Sequence, residues 1–245
     1  MAKEKKNKKH ESRKTFTLFN HEQTEHAQFD VAESYRQIRT NIEFSSVNEI
    51  KAICLTSTQP KEAKSTTAIN LAYIFATKYK KVLIIDGDLR KPQLHNYLQL
   101  TNEVGLSNAL RDFSKTHTLN KEFFQSKTDD EFVGQLDVLT GGAKVPNPAE
   151  VLSSDTFKDF IKALKAEYDF IIIDCPPVGA VTDAIPVGHA VDGTLFIYST
   201  QDTNRKAAKA ALDLLRQNNV HILGSVLTKV DTSTENYSYG GYGYY

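Results

Sequence analysis

The chain has 245 residues, 40% of them hydrophobic, and its Lys+Arg 30 balance Asp+Glu 30 to a formal net charge of zero. That length holds one large α/β domain or two small ones, and a chain with no global basic field is not expected to have a nucleic-acid partner. Cys54 and Cys175 are the only cysteines and both sit in apolar runs, which excludes a disulfide framework and a Cys/His metal cluster and suits a reducing compartment.

The first residues are basic, with Lys3, Lys5, Lys6, Lys8, Lys9, Arg13 and Lys14 against Glu4 and Glu11. No apolar stretch follows to make a secretory signal, and no run is long enough to cross a bilayer, so a cytoplasmic protein is expected. Residues 1–27 read as a disordered, solvated segment. The other reading is a polybasic strip drawn to anionic lipid at about 1 kcal/mol per cation, which would hold the protein at the inner face of the membrane.

Residues 28–46 carry Val31, Tyr35, Ile38 and Ile42 at helical spacing, with Asp30 as N-cap. A strand is predicted over 51–57, then a loop and a helix from Lys64 through Phe75. Further strands are predicted over 81–86, 170–174, 193–199 and 221–228, with helices over 155–168 and 204–217. Residues 101–150 are more polar and offer one short strand, 136–140. Short Val/Ile/Leu strands alternating with helices predict a doubly wound, mostly parallel sheet with helices on both faces, in a single domain over 28–231. Residues 232–245 hold Tyr237, Tyr239, Tyr242, Tyr244 and Tyr245 among Ser and Gly, and read as a flexible tail. A base-stacking role for that tail lacks its electrostatic half, because no Lys or Arg follows Lys229.

Two strands end in Asp. Asp86 opens the run Asp86-Gly87-Asp88-Leu89-Arg90, and Asp174 precedes Cys175-Pro176-Pro177. In an open parallel sheet such ends converge on one crevice, where a hydrated Mg2+ on a phosphate needs carboxylates. The segment 56–66, TSTQPKEAKST, lies between a strand and a helix, as a phosphate loop must. Thr58, Gln59, Pro60, Lys61, Glu62, Ala63, Lys64, Ser65 and Thr66 are therefore the candidate nucleotide contacts. Lys64 would reach the β/γ-phosphates, Ser65 would place its hydroxyl on Mg2+, and the amides at the helix start would face the phosphates.

These motifs together resemble the bacterial tyrosine kinases of capsule and exopolysaccharide synthesis, within the wider MinD/ParA-like class of P-loop proteins. That family carries a loop close to TSxxPGxGKST, a strand ending DxDxR and a strand ending D(T/S/C)PP; here stand TSTQPKEAKST, IIDGDLRKP and IIIDCPP, with GGAKVPNPAEVL at 141–152 and VTDA at 181–184. The resemblance implies an ATP- and Mg2+-dependent, non-specific protein-tyrosine kinase with Lys64, Asp86 and Asp88 catalytic. Ser65, Asp88 and Asp174 would be metal ligands, Asp86 the acceptor of the tyrosine proton, and Arg90 a support for the acidic pair. Lys229 falls where the family often has residues near adenine. The five tail tyrosines would be autophosphorylation sites. Glu33, Arg36 and Arg39 match an ExxRxxR oligomerisation motif, implying a ring-like homo-oligomer in which each tail meets its neighbour's site. The partners implied are the cytoplasmic tail of a membrane polysaccharide co-polymerase, as activator, and a tyrosine phosphatase.

The loop departs from the family pattern in having no glycine: Lys61 and Ala63 stand at the glycine positions, and Gly87 is the first glycine of the chain. If position 63 needs a left-handed backbone, Ala costs about 1–2 kcal/mol there. Two other functions remain open, a MinD/ParA-like ATPase switch without protein substrate and a nucleotide-impaired pseudokinase scaffold.

Overall fold

The structure, a computed structural model, describes residues 31–230. The chain runs α1 (Val31–Glu43), β1 (Ala52–Ser57), α2 (Lys64–Ala76), β2 (Lys81–Asp86), α3 (Leu94–Leu98), α4 (Leu106–Thr116), β3 (Gln125–Lys127) and β4 (Gln135–Leu139). It continues through α5 (Pro148–Ser153), α6 (Asp155–Glu167), β5 (Phe170–Asp174), α7 (Ala184–Ala190), β6 (Gly193–Ser199), α8 (Arg205–Gln217) and β7 (Ile222–Thr228). The strands form one sheet in the order β3-β4-β2-β5-β1-β6-β7. Every pairing is parallel except that of the short edge strand β3 with β4.

The central strands are apolar along their whole length because both of their faces are covered. All of β1 and β5 is buried. On one face Ile53, Leu55, Val82, Ile84 and Ile172 pack with α2 and with Tyr35, Ile38 and Ile42 of α1. On the other, Cys54, Leu83, Ile85, Ile171 and Ile173 pack with α4, α6 and α7. α2 lies mid-sheet and is buried from Thr67 through Ala76, which its Ala/Ile/Leu/Phe composition permits. Register brings the strand ends level, with Asp86 of β2 opposite Asp174 of β5, and Leu55 of β1 opposite the same Asp174. The mostly parallel, doubly wound sheet is as expected, and the predicted strands and long helices agree with it to within a few residues.

The segment 101–150 is richer than its polarity suggests. It holds α4, β3, β4 and the start of α5. Leu106, Ala109, Leu110 and Phe113 of α4 are buried at i, i+3, i+4 and i+7, a helical stripe among polar neighbours. α3 and α5 are too short to show a period, and α7 contains Pro186 and Gly188. Packing, rather than propensity, holds such elements.

Candidate active site

The loop joining β1 to α2 has the backbone path of a phosphate loop without glycine. Lys61 has φ 73, and Ala63 has φ 63 and ψ 20, so both are left-handed. An L-residue pays about 1–2 kcal/mol for that conformation. The first intrahelical bond of α2 runs from Thr67 N to Ala63 O at 2.9 Å. The N–H groups of Lys64, Ser65 and Thr66 precede it and form the positive end of the helix, an arrangement suited to anions. Gln59, Pro60 and Lys61 are exposed at the rim.

Glu62 lies on the other side of the loop. It is 1% exposed, and its carboxylate accepts the N–H of Thr58 at 2.8 Å, that of Gln59 at 3.1 Å and the hydroxyl of Thr203. The carboxylate of Glu62, expected among the nucleotide contacts, is therefore engaged by the protein itself. The loop is also pressed from below. A Cβ at Gly179 would lie 2.2 Å from Thr58 O, so only glycine lets the Pro176-Pro177 turn pack this close.

Lys64 is buried and its Nζ bonds Asp174 Oδ1, with Ser65 Oγ 3.5 Å away. Burial alone would lower the Lys64 pKa, but the Asp174 carboxylate more than offsets this and holds it above its ordinary value. Asp86 is 0% exposed; its Oδ2 accepts the N–H of Gln93 at 2.8 Å and of Leu94 at 2.9 Å. Its Oδ1 has the longer contact from Asp88 N, 3.2 Å. Burial, and then the neighbouring Asp174, push its carboxyl up to about 7. Asp88 is half-buried, accepts Lys91 N at 3.0 Å and is also raised, chiefly by burial. Three carboxylates and one hydroxyl thus meet at one crevice with Lys64 as the central cation. Hard oxygen donors of this kind suit magnesium, and Ser65, Asp88 and Asp174 are the residues that would hold it.

The guanidinium of Arg90 is not the support for Asp86 and Asp88 that was expected. It forms a two-pronged pair with buried Asp183, at 2.6 and 2.9 Å, joining the acidic turn after β2 to the segment before α7. Lys229 sits at the end of β7 with φ 54, its Nζ 2.5 Å from Asp202 Oδ2. In α1, Glu33 and Arg36 pair at 3.1 Å on the exposed side. Arg39 turns inward instead, donating to Ile74 O at 2.8 Å at the C-terminal end of α2. The three residues of the ExxRxxR motif therefore do not share one exposed face. Tyr237, Tyr239, Tyr242, Tyr244, Tyr245 and the basic segment lie outside the described residues. Asp183, the partner of Arg90, falls in the VTDA segment, whose sequence does not say what it bonds, and Thr203, the partner of Glu62, carries no spacing signal.

A nucleotide-binding P-loop domain is the class that this sheet, loop and acidic crevice define. A family model described as an AAA domain matches residues 50–187, which take in all three motifs. The chain is 41% identical to the tyrosine-protein kinase YwqD of Bacillus subtilis (strain 168), over 87% of this chain and 86% of that protein. It is 36% identical to the putative tyrosine-protein kinase CapB of Staphylococcus aureus, over 86% of this chain and 90% of that one. The crystal structure of the chimerical protein CapA2B2 has a TM-score of 0.74 and 34% identity, covering 83% of this chain and 86% of the other. The chain belongs to the bacterial tyrosine-protein kinase family. No helix among the described residues is long and apolar enough to cross a membrane.

Proposed function

We propose that this protein transfers the γ-phosphoryl group of ATP to tyrosines of its own C-terminal cluster, Tyr237, Tyr239, Tyr242, Tyr244 and Tyr245, within a homo-oligomer, and so regulates capsular or exopolysaccharide synthesis. The observation that carries the reading is the convergence of Lys64, Ser65, Asp86, Asp88 and Asp174 at the carboxyl ends of three neighbouring strands. Phosphoryl transfer needs little covalent help from a protein; positioning and charge neutralisation supply most of the acceleration. Lys64 leaves Asp174 to hold the β/γ-phosphates, and the N–H groups at the start of α2 fix the same oxygens. Ser65, Asp88 and Asp174 hold magnesium, which neutralises phosphate charge when bound. The tyrosine hydroxyl gives up its proton to Asp86, through the Oδ1 that only the long Asp88 contact occupies.

A second assignment is favoured by burial. Asp86 is fully enclosed while Asp88 is half-buried, so Asp88 would be the proton acceptor and Asp86 its support. Asp86→Asn and Asp88→Asn, compared at saturating Mg-ATP, separate the two: the substitution that lowers kcat with metal affinity unchanged marks the acceptor.

A membrane polysaccharide co-polymerase tail is the proposed activator, a tyrosine phosphatase the proposed antagonist, and the inner face of the membrane the proposed location. The deciding experiment is incubation of the protein with Mg-ATP, with and without such a tail, followed by phosphosite mapping. Phosphate on the five tail tyrosines, absent in Lys64→Met, is the expected result. Rapid ATP turnover with unmodified tyrosines would instead favour an ATPase switch, and intact oligomers without ATP binding a pseudokinase.

A further inference from the structure

Glu62 stands between the two left-handed residues of the loop, and its contacts tie together three parts of the chain. Its carboxylate takes the N–H groups of Thr58 and Gln59 inside the loop and the hydroxyl of Thr203 from the turn after β6. Its carbonyl accepts Thr228 Oγ1 at 2.9 Å from the end of β7. The same turn takes a further bond from the loop, Gln59 Nε2 to Asp202 O at 2.8 Å. A backbone held at φ 73 and φ 63 by L-residues persists only where its surroundings over-determine it. Within this loop Glu62 is tied to the turn after β6 through its side chain and to the end of β7 through its carbonyl.

We infer that Glu62 is a positioning residue, a buried brace that keeps a glycine-free phosphate loop in its nucleotide-binding shape without touching the nucleotide. This rests on the reading of the loop as the ATP site. Glycine takes a positive φ at no steric cost. With Lys61→Gly and Ala63→Gly together, the loop needs the brace less, so the effects of Glu62 and of the two glycines are coupled rather than additive. Glu62→Gln keeps the arrangement: the amide oxygen accepts the two N–H groups and the amide nitrogen donates to the Thr203 oxygen.

The test uses the full chain as wild type, Glu62→Ala, Glu62→Gln, the Lys61→Gly/Ala63→Gly pair, and that pair with Glu62→Ala. Amide hydrogen exchange of the peptide covering 58–66 is followed without nucleotide, and Mg-ATP affinity by calorimetry. Glu62→Ala is expected to speed loop exchange and weaken ATP by about tenfold, with kcat at saturating ATP nearly unchanged, as for a lost binding contribution. Glu62→Gln stays near wild type, and in the glycine background Glu62→Ala changes each quantity by less than about threefold. An equal effect in both backgrounds, or unchanged loop exchange, overturns the inference. If Glu62→Ala fails to fold, Thr203→Val, which removes one of the brace's bonds at similar shape, is compared in the same two backgrounds under the same criteria. Coupled exchange in a wild-type protein that binds no ATP would uphold the brace and refute the nucleotide site; tight ATP binding indifferent to Glu62 would do the reverse.

Discussion

Lys64 Nζ, on the first turn of α2, is bonded to Asp174 Oδ1 at the end of β5, and both side chains are almost wholly buried. The loop lysine is thus committed to the carboxylate that the same crevice offers to a metal. Breaking a buried pair on one side leaves an uncompensated charge, at about 3–5 kcal/mol. Lys64→Met is therefore expected to abolish tail phosphorylation and also to lower the denaturant midpoint. Lys64→Met with Asp174→Asn should recover much of the midpoint and none of the activity. Phosphorylation at the wild-type rate in either variant would remove the proposed mechanism.

The strain at Ala63 leads to an expectation opposite in sign to most substitutions. Its φ of 63 suits glycine better than alanine. Ala63→Gly should stabilise the nucleotide-free protein by about 1 kcal/mol, net of the extra chain entropy of glycine. In a protein of this size that raises the thermal midpoint by about 2–4 °C. A midpoint lowered by the substitution would show that the left-handed backbone is not strained.

The convergence of these groups was legible because each closes an apolar strand or opens a helix: Asp86 after Val82–Ile85, Asp174 after 170–173, Lys64 at the first position of α2. The contacts that hold these groups were not. Arg90 reaches Asp183, 93 positions away, and Glu62 reaches Thr203, 141 away. Neither distance leaves a period or spacing in a single chain. The inward turn of Arg39 was equally hidden, since helical spacing gives a face without saying what lies against it.

Asp192 joins β1, α6 and β6 at the end of the sheet opposite the crevice. Its Oδ2 accepts the N–H of Lys51 and of Ala52, each at 2.9 Å, and its Oδ1 accepts Lys165 Nζ. Burial acts to raise its pKa, but the bonds from Lys165 and the two N–H groups outweigh it and hold the carboxyl below the ordinary 3.8. A depressed folded-state value means stability that is complete above the unfolded value and lost as pH falls through the folded one. Asp192→Asn should consequently lower stability at neutral pH and move the acid-unfolding midpoint to higher pH. Circular dichroism across an acid titration checks this, and an unchanged midpoint would contradict it.

The proposed assembly would join the N-terminal helix to the tyrosine tail, and the geometry of α1 separates two effects that a double arginine substitution would confuse. Arg39 donates to the carbonyl end of α2 and lies beside Glu43, which holds Lys78 at 2.7 Å and Tyr79 at 3.0 Å. Arg39→Ala is expected to cost about 1.5–3 kcal/mol of fold stability through the charge-assisted bond to Ile74 O that it removes, whatever the oligomer does. Glu33 and Arg36 are exposed, so Glu33→Ala with Arg36→Ala should leave the thermal midpoint in place and act on a subunit contact instead. A repeated heterologous contact whose rotation closes makes a ring, and each tail would then lie against the neighbouring site. Phosphorylation adds about −1.5 to −2 charges per tyrosine beside Asp86, Asp88 and Asp174, and that repulsion should expel the tails and loosen the ring. Light scattering is therefore expected to find unphosphorylated protein as a high oligomer, phosphorylated protein as a monomer, and the Glu33/Arg36 variant as a monomer that labels its tail poorly. The same mass in both phosphorylation states would end the cycling idea, and a ring persisting in the double variant would move the contact away from α1.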